Sequence, residues 1–236
     1  MRVLEIWRFP VKSLQGERLE SAVVGSQGLV GDRGFAIFDA ETGFGLTARR
    51  QPQLLFAAAR ARPDGTVEIT LPDGSVAEDD EALSAWLERP VVLRSTEQVR
   101  DRRFENPVDF EDEAGVWEPF AGSNGAFHDS GRANVSLMST ATLGGWERRR
   151  FRSNLLLDGD GEDELVGSKV CIGDAELDVR MRIGRCVMTT RPQPGGVEKD
   201  LDVLRRIHRE RGGDLAVGAV VVTPGSLAVG DELQTA

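Results

Sequence analysis

Short runs of alternating apolar and polar residues are the main pattern along this chain of 236 residues. A period of two residues is typical of a strand that buries one face. Turn-forming residues separate the runs, as at 72–74, where proline presets φ and glycine accepts a positive φ. The pattern predicts strands at residues 3–7, 19–24, 34–39, 44–47, 66–71, 91–94, 151–157, 169–172, 175–182, 215–223 and 226–233. Short strands at this spacing favour a barrel or sandwich over alternating strands and helices.

A helical period of apolar residues is found in three segments. Residues 79–89 place apolar side chains at i, i+3 and i+4, and residues 140–150 follow Ser139, a residue type that caps helices. A third helix is predicted at 200–211, ended by two glycines, with one apolar stripe of Leu201, Leu204, Ile207 and His208. We interpret His208 as the edge of that stripe. The polar segment 96–133, which has weak periodicity, is interpreted as a connection.

The charge balance excludes several classes of protein. Asp and Glu total 39 against 29 Lys and Arg, a net charge of -10, which disfavours non-specific nucleic-acid binding. Only three of the basic residues are lysines, Lys12, Lys169 and Lys199. Two cysteines cannot supply the four ligands that an iron–sulfur cluster usually takes, and His128 and His208 lie far apart and outside any HExxH pattern.

No segment of the sequence predicts membrane insertion or export. The longest apolar run, 215–222, is far shorter than the roughly 18 residues that cross a bilayer. Charged residues Arg2, Glu5 and Arg8 interrupt the first residues, unlike the apolar region of a signal peptide. We therefore expect a cytoplasmic protein with reduced thiols, which binds no membrane and no nucleic acid.

Two segments place cations beside turn residues. Lys12 and Ser13 follow the first predicted strand, and a lysine beside a hydroxyl can hold a phosphate by one charge and one donor. Arg33 begins another predicted strand, with Arg49 after the following turn. Arginines at strand ends are suited to binding anions. Taken one at a time, exposed arginines and lysines are more often simply solvated.

Cys186 follows a predicted strand and begins a loop rich in threonine, proline and glycine. The nearby charges of Arg185 and Arg191 favour the thiolate, which is both a nucleophile and a soft-metal ligand. A free cysteine is more often a small buried hydrophobe. Cys171, inside a predicted strand, fits that second interpretation.

These motifs, in their order, resemble those of MOSC proteins. The residues PVKS at 10–13, GL at 28–29, GDR at 31–33 and LTAR at 46–49 resemble the N-terminal β-barrel module of that family. The residues FRSN at 151–154, RCVMTT at 185–190 and the glycines near 225 and 230 resemble the MOSC domain itself. The resemblance implies a mainly β fold with a few helices and two β-barrel-like modules. The modules would span 1–95 and 134–236, joined by 96–133.

The resemblance also implies a cofactor and a set of site residues. In that family a molybdenum cofactor (molybdenum bound to molybdopterin) lies between the modules, and one cysteine binds the metal. Carried over by position, Cys186 would be the metal ligand and a catalytic residue, and Asp129 would be a catalytic proton donor. The cofactor-binding residues would be Lys12, Ser13, Arg33, Arg49, Arg152, Asn154 and Arg185. Gly34, Ser153 and Gln193 depart from residues that are common in the family at the matching positions.

The implied activity is reduction of N-hydroxylated or N-oxygenated small molecules. The sequence has neither cluster cysteines nor a credible flavin or nicotinamide fingerprint, so a separate ferredoxin- or flavin-type electron donor is implied. The alternative is a sulfur carrier or cofactor-handling protein with a persulfide on Cys186. A third possibility is a non-catalytic barrel whose cysteine serves packing alone. A phosphate site formed by Lys12, Ser13 and Arg33 favours the cofactor enzyme, because a pure sulfur carrier needs no phosphate site.

Overall fold

The chain forms two compact units, each assembled from segments that are distant in sequence. The structure, a computed structural model, describes residues 1–109 and 113–235. The first unit contains Met1–Arg8, Arg18–Val30 and Gly131–Ala236, and the second contains Phe9–Glu17 and Gly31–Ser130. The N-terminal strand therefore belongs to the same unit as the C-terminal half of the chain.

Strands dominate the described residues, which confirms the mainly β fold with a few helices. The strands are β1 (Val3–Arg8), β2 (Glu17–Leu19), β3 (Ser21–Gly25), β4 (Gly28–Leu29), β5 (Phe35–Asp39), β6 (Ala58–Ala61), β7 (Val67–Thr70), β8 (Val76–Ala77), β9 (Val91–Ser95), β10 (Arg103–Pro107), β11 (Trp117–Ala121), β12 (Val135–Ser139), β13 (Leu155–Leu157), β14 (Lys169–Ile172), β15 (Ala175–Gly184), β16 (Asp214–Thr223), β17 (Gly225–Ala228) and β18 (Leu233–Thr235). The α-helices are α1 (Asp80–Leu87), α2 (Thr140–Leu143) and α3 (Asp202–Arg211). Short 3-10 helices span Pro52–Phe56, Arg148–Arg150, Glu162–Leu165 and Val187–Thr190.

The first unit is built on one eight-stranded sheet. Its strand order is β18-β14-β15-β16-β12-β13-β1-β2, with β12 and β13 parallel and β1 antiparallel to β13. Alternate residues of these strands, such as Leu155 and Leu157, are fully buried in one apolar core. Gly28 stands at φ 102°, and a Cβ there would lie 2.4 Å from the carbonyl oxygen of Asn134. The close backbone approach therefore requires glycine in the motif at 28–29.

The second unit consists of small antiparallel sheets around a phenylalanine cluster. Strands β5 and β9 pair, as do β10 and β11, and β6, β7 and β8 form a third sheet. The rings of Phe38, Phe104 and Phe127 lie 5.8–6.4 Å apart. The strand predicted at 44–47 is wrong: within it Gly45 makes only isolated bridges to Phe38 and Phe104. The Phe104 ring covers Gly45, where a Cβ would lie 2.2 Å from the ring.

The segment 96–133 contains the β10–β11 hairpin, although residues 110–112 lie outside the described residues. Its register pairs Phe104 with Phe120, and Phe104 is buried in the phenylalanine cluster. The weak periodicity of the sequence arises because polar residues flank these few buried aromatic positions. The hairpin thus contributes core contacts to the second unit.

Two details of the predicted helices are corrected. The helix predicted at 140–150 ends at Leu143, because Gly144 adopts φ 56° and ψ -131°, and a 3-10 helix follows only at Arg148–Arg150. Helix α3 buries Val203 and Ile207. Leu201 is 46% exposed and His208 is exposed. The buried stripe is therefore formed by Val203 and Ile207, which are four residues apart, and Leu201 lies before the first turn of the helix.

Candidate functional site

Cys186 presents an exposed thiol at a tightly bonded turn in the first unit. The residue lies between the end of β15 and the 3-10 helix Val187–Thr190, with extended backbone angles of φ -121° and ψ 178°. Its carbonyl oxygen accepts hydrogen bonds from the backbone N–H (3.1 Å) and the side-chain Oγ1 (3.0 Å) of Thr189. The hydroxyl of Thr190 donates to the Val187 carbonyl at 2.8 Å. The backbone is thus fixed while the sulfur stays accessible.

Arg150 braces the loop that follows Cys186. Its Nη1 donates to the carbonyl oxygens of Thr189 and Arg191, both at 3.1 Å. Its Nη2 donates to the carbonyl oxygen of Glu198 at 2.7 Å. The planar fork of a guanidinium is suited to holding several acceptors at once. One side chain therefore joins the beginning and the end of the cysteine loop.

Arg185, the residue before Cys186, donates a hydrogen bond back to the segment that contains Arg150. Its Nε donates to the Leu215 carbonyl at 2.8 Å, and its Nη1 donates to the Phe151 carbonyl at 3.0 Å. Its guanidinium also lies 5.6 Å from the centre of the Phe151 ring. Arg150 and Arg185 thus each donate to carbonyl groups of the other residue's segment. The pair fixes the cysteine loop against the segment that contains Arg152.

The segment of Arg152 and Asn154 lies at the start of β13. Asn154 is 1% exposed; its Oδ1 accepts from the backbone N–H and hydroxyl of Ser136, and its Nδ2 donates to the Trp7 carbonyl at 3.1 Å. Through these bonds the Asn154 side-chain amide connects β12 to β1, so it has a structural role. Arg152 is half-buried and has a left-handed backbone at φ 53°.

Arg148 supports this segment, a role that the sequence analysis missed. Its Nη2 donates to the Ser153 carbonyl at 2.8 Å, its Nε lies 3.2 Å from Glu5, and its guanidinium stacks 4.1 Å from the centre of the Trp7 ring. Burial lowers the pKa of Arg148 to about 10, although Glu5 acts in the opposite direction. The group remains charged at neutral pH. In the sequence, nothing distinguishes Arg148 from the two arginines that follow it.

The Arg150 brace can be tested without any bound cofactor. In Arg150→Gln we expect the backbone amides of Thr189, Arg191 and Asp200, all hydrogen-bonded in the structure, to exchange with deuterium about 10- to 100-fold faster. One hydrogen bond to a charged group contributes about 1.5–3 kcal/mol, and about 1.4 kcal/mol is tenfold in an equilibrium. The measurement is hydrogen–deuterium exchange followed by mass spectrometry.

Arg180→Gln is the matched control for this prediction. Arg180 lies on β15 of the same unit, and its exposed side chain pairs with Asp178. The control variant is expected to leave exchange in the cysteine loop unchanged. Equal exchange in wild type and Arg150→Gln would contradict the bracing role.

The second unit brings Lys12, Arg33 and Asp129 together around Phe127. Lys12 donates from Nζ to the Phe127 carbonyl at 3.2 Å, and the Phe127 N–H donates to the Arg33 carbonyl at 2.7 Å. The Lys12 ammonium also pairs with the Asp129 carboxylate and lies 5.2 Å from the centre of the Phe104 ring. The Lys12 side chain is only 6% exposed, whereas that of Asp129 is 89% exposed.

Arg33 is held by the neighbouring carboxylate of Asp32. The two side chains form an ion pair in which the Asp32 side chain is fully buried. Asp32 also accepts from the Phe9 N–H at 2.6 Å, and the Arg33 guanidinium lies 5.2 Å from the centre of the Phe9 ring. Asp32 is a positioning residue that the analysis of the motif at 31–33 did not single out. In the sequence, its position directly before Arg33 is the feature that could have identified it.

Ser13 and Arg49 are connected through the backbone of the second unit. The Ser13 hydroxyl accepts from the Ala48 N–H at 3.0 Å, directly before Arg49. The Arg49 side chain is 8% exposed, with its Nε 3.5 Å from Glu113. Lys12, Arg33 and Arg49 are thus largely buried cations of this unit, and each is accompanied by a carboxylate.

Left-handed backbone conformations coincide with the site residues. Among the described residues, five other than glycine have positive φ, and three of these are Ser13 (71°), Arg33 (51°) and Arg152 (53°). Such conformations cost energy and tend to concentrate at binding and catalytic sites. Each of the two units thus contains strained backbone at residues for which the sequence implied a role in anion binding.

Each unit, taken by itself, offers donor types that suit the cofactor implied by the resemblance. A molybdenum ion held by a pterin dithiolene needs one thiolate from the protein, and Cys186 offers an exposed thiol. A pterin phosphate needs cations and hydroxyl donors, which Lys12, Ser13 and Arg33 offer. No group of three or more His, Cys, Asp or Glu side chains is arranged to hold a metal ion within residues 1–109 and 113–235. Over the same residues, no helix has the length and apolar character that crossing a membrane requires.

Comparison with known proteins identifies two domains. Residues 1–117 match the model of the MOSC N-terminal beta barrel domain, and residues 124–234 match that of the MOSC domain. No curated protein matches the chain.

The solved structures that match the chain include two proteins of low sequence identity. The YuaD protein from Bacillus subtilis is 12% identical, with a TM-score of 0.43 over 98% of this chain and 93% of that one. YiiM from Geobacillus stearothermophilus is 14% identical, with a TM-score of 0.37 over 58% of this chain and 73% of that one. At these TM-scores neither likeness supports a functional conclusion. The two domain matches together span nearly the whole chain, which confirms the resemblance drawn from its motifs: the protein belongs to the MOSC family, as a MOSC N-terminal beta barrel domain followed by a MOSC domain.

Proposed function

We propose that the protein is a molybdenum-cofactor-binding oxidoreductase that reduces N-hydroxylated or N-oxygenated compounds. The observation that carries the proposal is the exposed Cys186 thiol at a turn braced by Arg150. The MOSC domain is associated with binding of the molybdenum cofactor, and a single accessible thiolate is what that group requires from the protein.

The cofactor would be bound by residues of two kinds. Cys186 would supply the thiolate ligand. Lys12, Ser13 and Arg33 would bind the phosphate, since an ammonium, a hydroxyl and a guanidinium donate hydrogen bonds to phosphate oxygens. The remaining predicted binding residues are Arg49, Arg152, Asn154 and Arg185. For Asn154 and Arg185, whose side chains donate to backbone carbonyls, the contribution would be to position neighbouring backbone.

The reaction consumes two electrons and two protons. A hydroxylamine-type N–OH group would become N–H, and its oxygen would leave as water. When bound, the cofactor supplies the two-electron chemistry and an acceptor for the oxygen. The chain supplies the thiolate, the cations and a route for protons. Asp129 is the proposed proton source: its side chain is mostly exposed and could exchange protons with water, and delivery to the departing oxygen would require its ion pair with Lys12 to open.

Electrons would come from a separate protein. The two cysteines of the chain cannot hold a cluster of four cysteine ligands, and its family domains are both MOSC domains. A one-electron carrier of the ferredoxin or flavin type would therefore deliver the two electrons in two encounters.

The proposal is tested by metal analysis and a reduction assay on wild-type protein. Protein purified from a host that makes molybdenum cofactor is expected to contain near-stoichiometric molybdenum and pterin. With reduced methyl viologen as the artificial donor, it is expected to convert a model amidoxime such as benzamidoxime to benzamidine. Product is measured by chromatography, and protein from a host unable to make the cofactor serves as the control.

Two outcomes would contradict the proposal. Metal-free protein carrying a cyanide-labile sulfur on Cys186 would favour the sulfur carrier, because an exposed thiolate can hold a persulfide. Protein with neither metal nor labile sulfur would favour a non-catalytic barrel.

A further inference from the structure

Helix α3 is bonded at both ends to residues that flank Cys186. After the helix, the carbonyl oxygen of Gly213 accepts from the Arg185 N–H at 2.9 Å. Before it, the Asp200 N–H donates to the Thr190 carbonyl at 2.9 Å. Because these bonds lie on either side of the cysteine, α3 is held beside the loop that presents the thiol.

The outward face of α3 is lined by arginines. Val203 and Ile207 are buried on the inner face, and the helical period places Arg205 and Arg209 on the opposite side. Their side chains are 71% and 70% exposed, and that of Arg206 is 58% exposed. We call Arg205, Arg206 and Arg209 the α3 basic face.

The charge of this face is opposite to that of the chain. Helix α3 carries four arginines against two acidic residues, while the whole chain has a net charge of -10. Asp202 lies 3.1 Å from Arg205, and Glu210 is shared by Arg206 and Arg209 at 2.9 and 3.0 Å. Hydrogen bonds from Arg206 and then Arg209 lower the pKa of Glu210. Exposed pairs of this kind contribute little, so they can exchange for the carboxylates of a partner.

Two apolar groups adjoin the basic face. The Arg206 guanidinium stacks 5.2 Å from the centre of the Trp146 ring, which orders a side chain that would otherwise lose more entropy on binding. Leu201, just before the first turn, is 46% exposed. Arginine and tryptophan are the residue types that most often contribute strongly to protein interfaces.

We propose that the α3 basic face is the docking surface for a small acidic electron carrier of the ferredoxin type. This inference rests on the proposed function, which needs a separate source of two electrons per turnover. Opposite charges steer such partners into rapid encounters, and electron-transfer complexes are small enough for one helix face to suffice. Each encounter oxidises one reduced cluster and delivers one electron beside the Cys186 loop.

The test compares donor-dependent and donor-independent turnover in variants of α3. In Arg205→Gln/Arg209→Gln, kcat/KM for a reduced acidic [2Fe–2S] ferredoxin is expected to fall at least about tenfold, while the rate with reduced methyl viologen stays unchanged. Arg205→Glu/Arg209→Glu is expected to lower it further. Added salt is expected to slow the wild-type reaction with ferredoxin more than that of the variants.

Binding is measured separately, on cofactor-free protein. Fluorescently labelled ferredoxin is expected to bind wild type and to lose affinity at least about tenfold for the glutamine pair. This arm reports docking even if no reductase activity is found, so failure of the proposed function and failure of the docking surface are distinguishable. The circular dichroism spectrum and the unfolding temperature of the variants are expected to match those of wild type, because glutamine is a good helix former.

The matched control is Arg60→Gln/Arg62→Gln, which removes the same charge from exposed positions on and just after β6 of the second unit. An equal loss in this control would overturn the proposal, because net charge alone would then explain the effect. So would an unchanged ferredoxin affinity in the α3 variants. Preferential binding of anionic lipid vesicles or duplex DNA over ferredoxin would also overturn it and indicate another partner.

Discussion

Replacement of Cys186 by serine is expected to remove molybdenum from the purified protein and to abolish amidoxime reduction. A serine hydroxyl remains protonated at neutral pH and is a poor substitute for a thiolate as a soft-metal ligand. Because Cys186 is exposed, the substitution leaves no cavity, and the thermal unfolding temperature is expected to stay close to that of wild type. Molybdenum is measured by mass spectrometry of the metal and activity with reduced methyl viologen.

Cys171→Ser provides the matched control, since Cys171 is the other thiol of the chain and lies half-buried in β14. Its metal content and turnover are expected to equal those of wild type. Full molybdenum occupancy in Cys186→Ser would contradict the assignment of the ligand. Equal loss in both variants would point to oxidation or misfolding as the cause.

Replacement of Lys12 by methionine is expected to weaken retention of the pterin about 10- to 100-fold. The ammonium is almost fully buried and already aimed by the Phe127 carbonyl, so its loss removes a charged hydrogen bond to phosphate of about 1.5–3 kcal/mol. Methionine has a similar volume, and the Asp129 carboxylate that loses its partner is 89% exposed, so water can solvate it and the fold is expected to tolerate the change. Retention is measured as pterin fluorescence per chain after gel filtration, with the unfolding temperature recorded alongside.

The variant Asp129→Asn removes the ion pair but keeps the Lys12 ammonium, so it distinguishes the effect of the pair from the effect of the ammonium. The Asp129 carboxylate occupies the Lys12 ammonium in the structure, so a phosphate has to compete with it. Removing that carboxylate is expected to increase pterin retention and to lower turnover, because a carboxamide cannot deliver protons. Undiminished retention in Lys12→Met would contradict the phosphate role. Unchanged turnover in Asp129→Asn would contradict the proton role.

Local patterns were sufficient to predict most strands, because side-chain alternation depends on neighbouring residues alone. The strand at 169–172 appears with the predicted bounds, and helices α1 and α3 lie within the predicted segments. The errors arose where distant groups decide the conformation. Gly45 makes only isolated bridges, to Phe38 and Phe104, and the hairpin in 96–133 places Phe104 in a cluster of aromatic residues that are distant in sequence.

The site shows the same division between local and distant causes. Residue types marked Cys186, Lys12 and Arg33 as candidates, because thiols and cations beside turn residues have recognisable chemistry. The roles of Asp32, Arg148 and Arg150 could not be predicted, because each depends on hydrogen bonds to backbone groups of other segments. Any arginine can donate such bonds, and sequence does not tell which one is within reach of its acceptors.

The sequence by itself determined the family, the mainly β fold and the chemistry of the candidate residues, since each depends on residue type and order. Only the tertiary structure decided that β1 pairs with β13, across some 150 residues of chain, because strand pairing depends on long-range burial. It also decided that Arg150 and Arg185 brace each other's segments and that Asp129 pairs with Lys12. These contacts depend on distances between side chains and distant carbonyl or carboxylate groups, which exist only once the chain has folded.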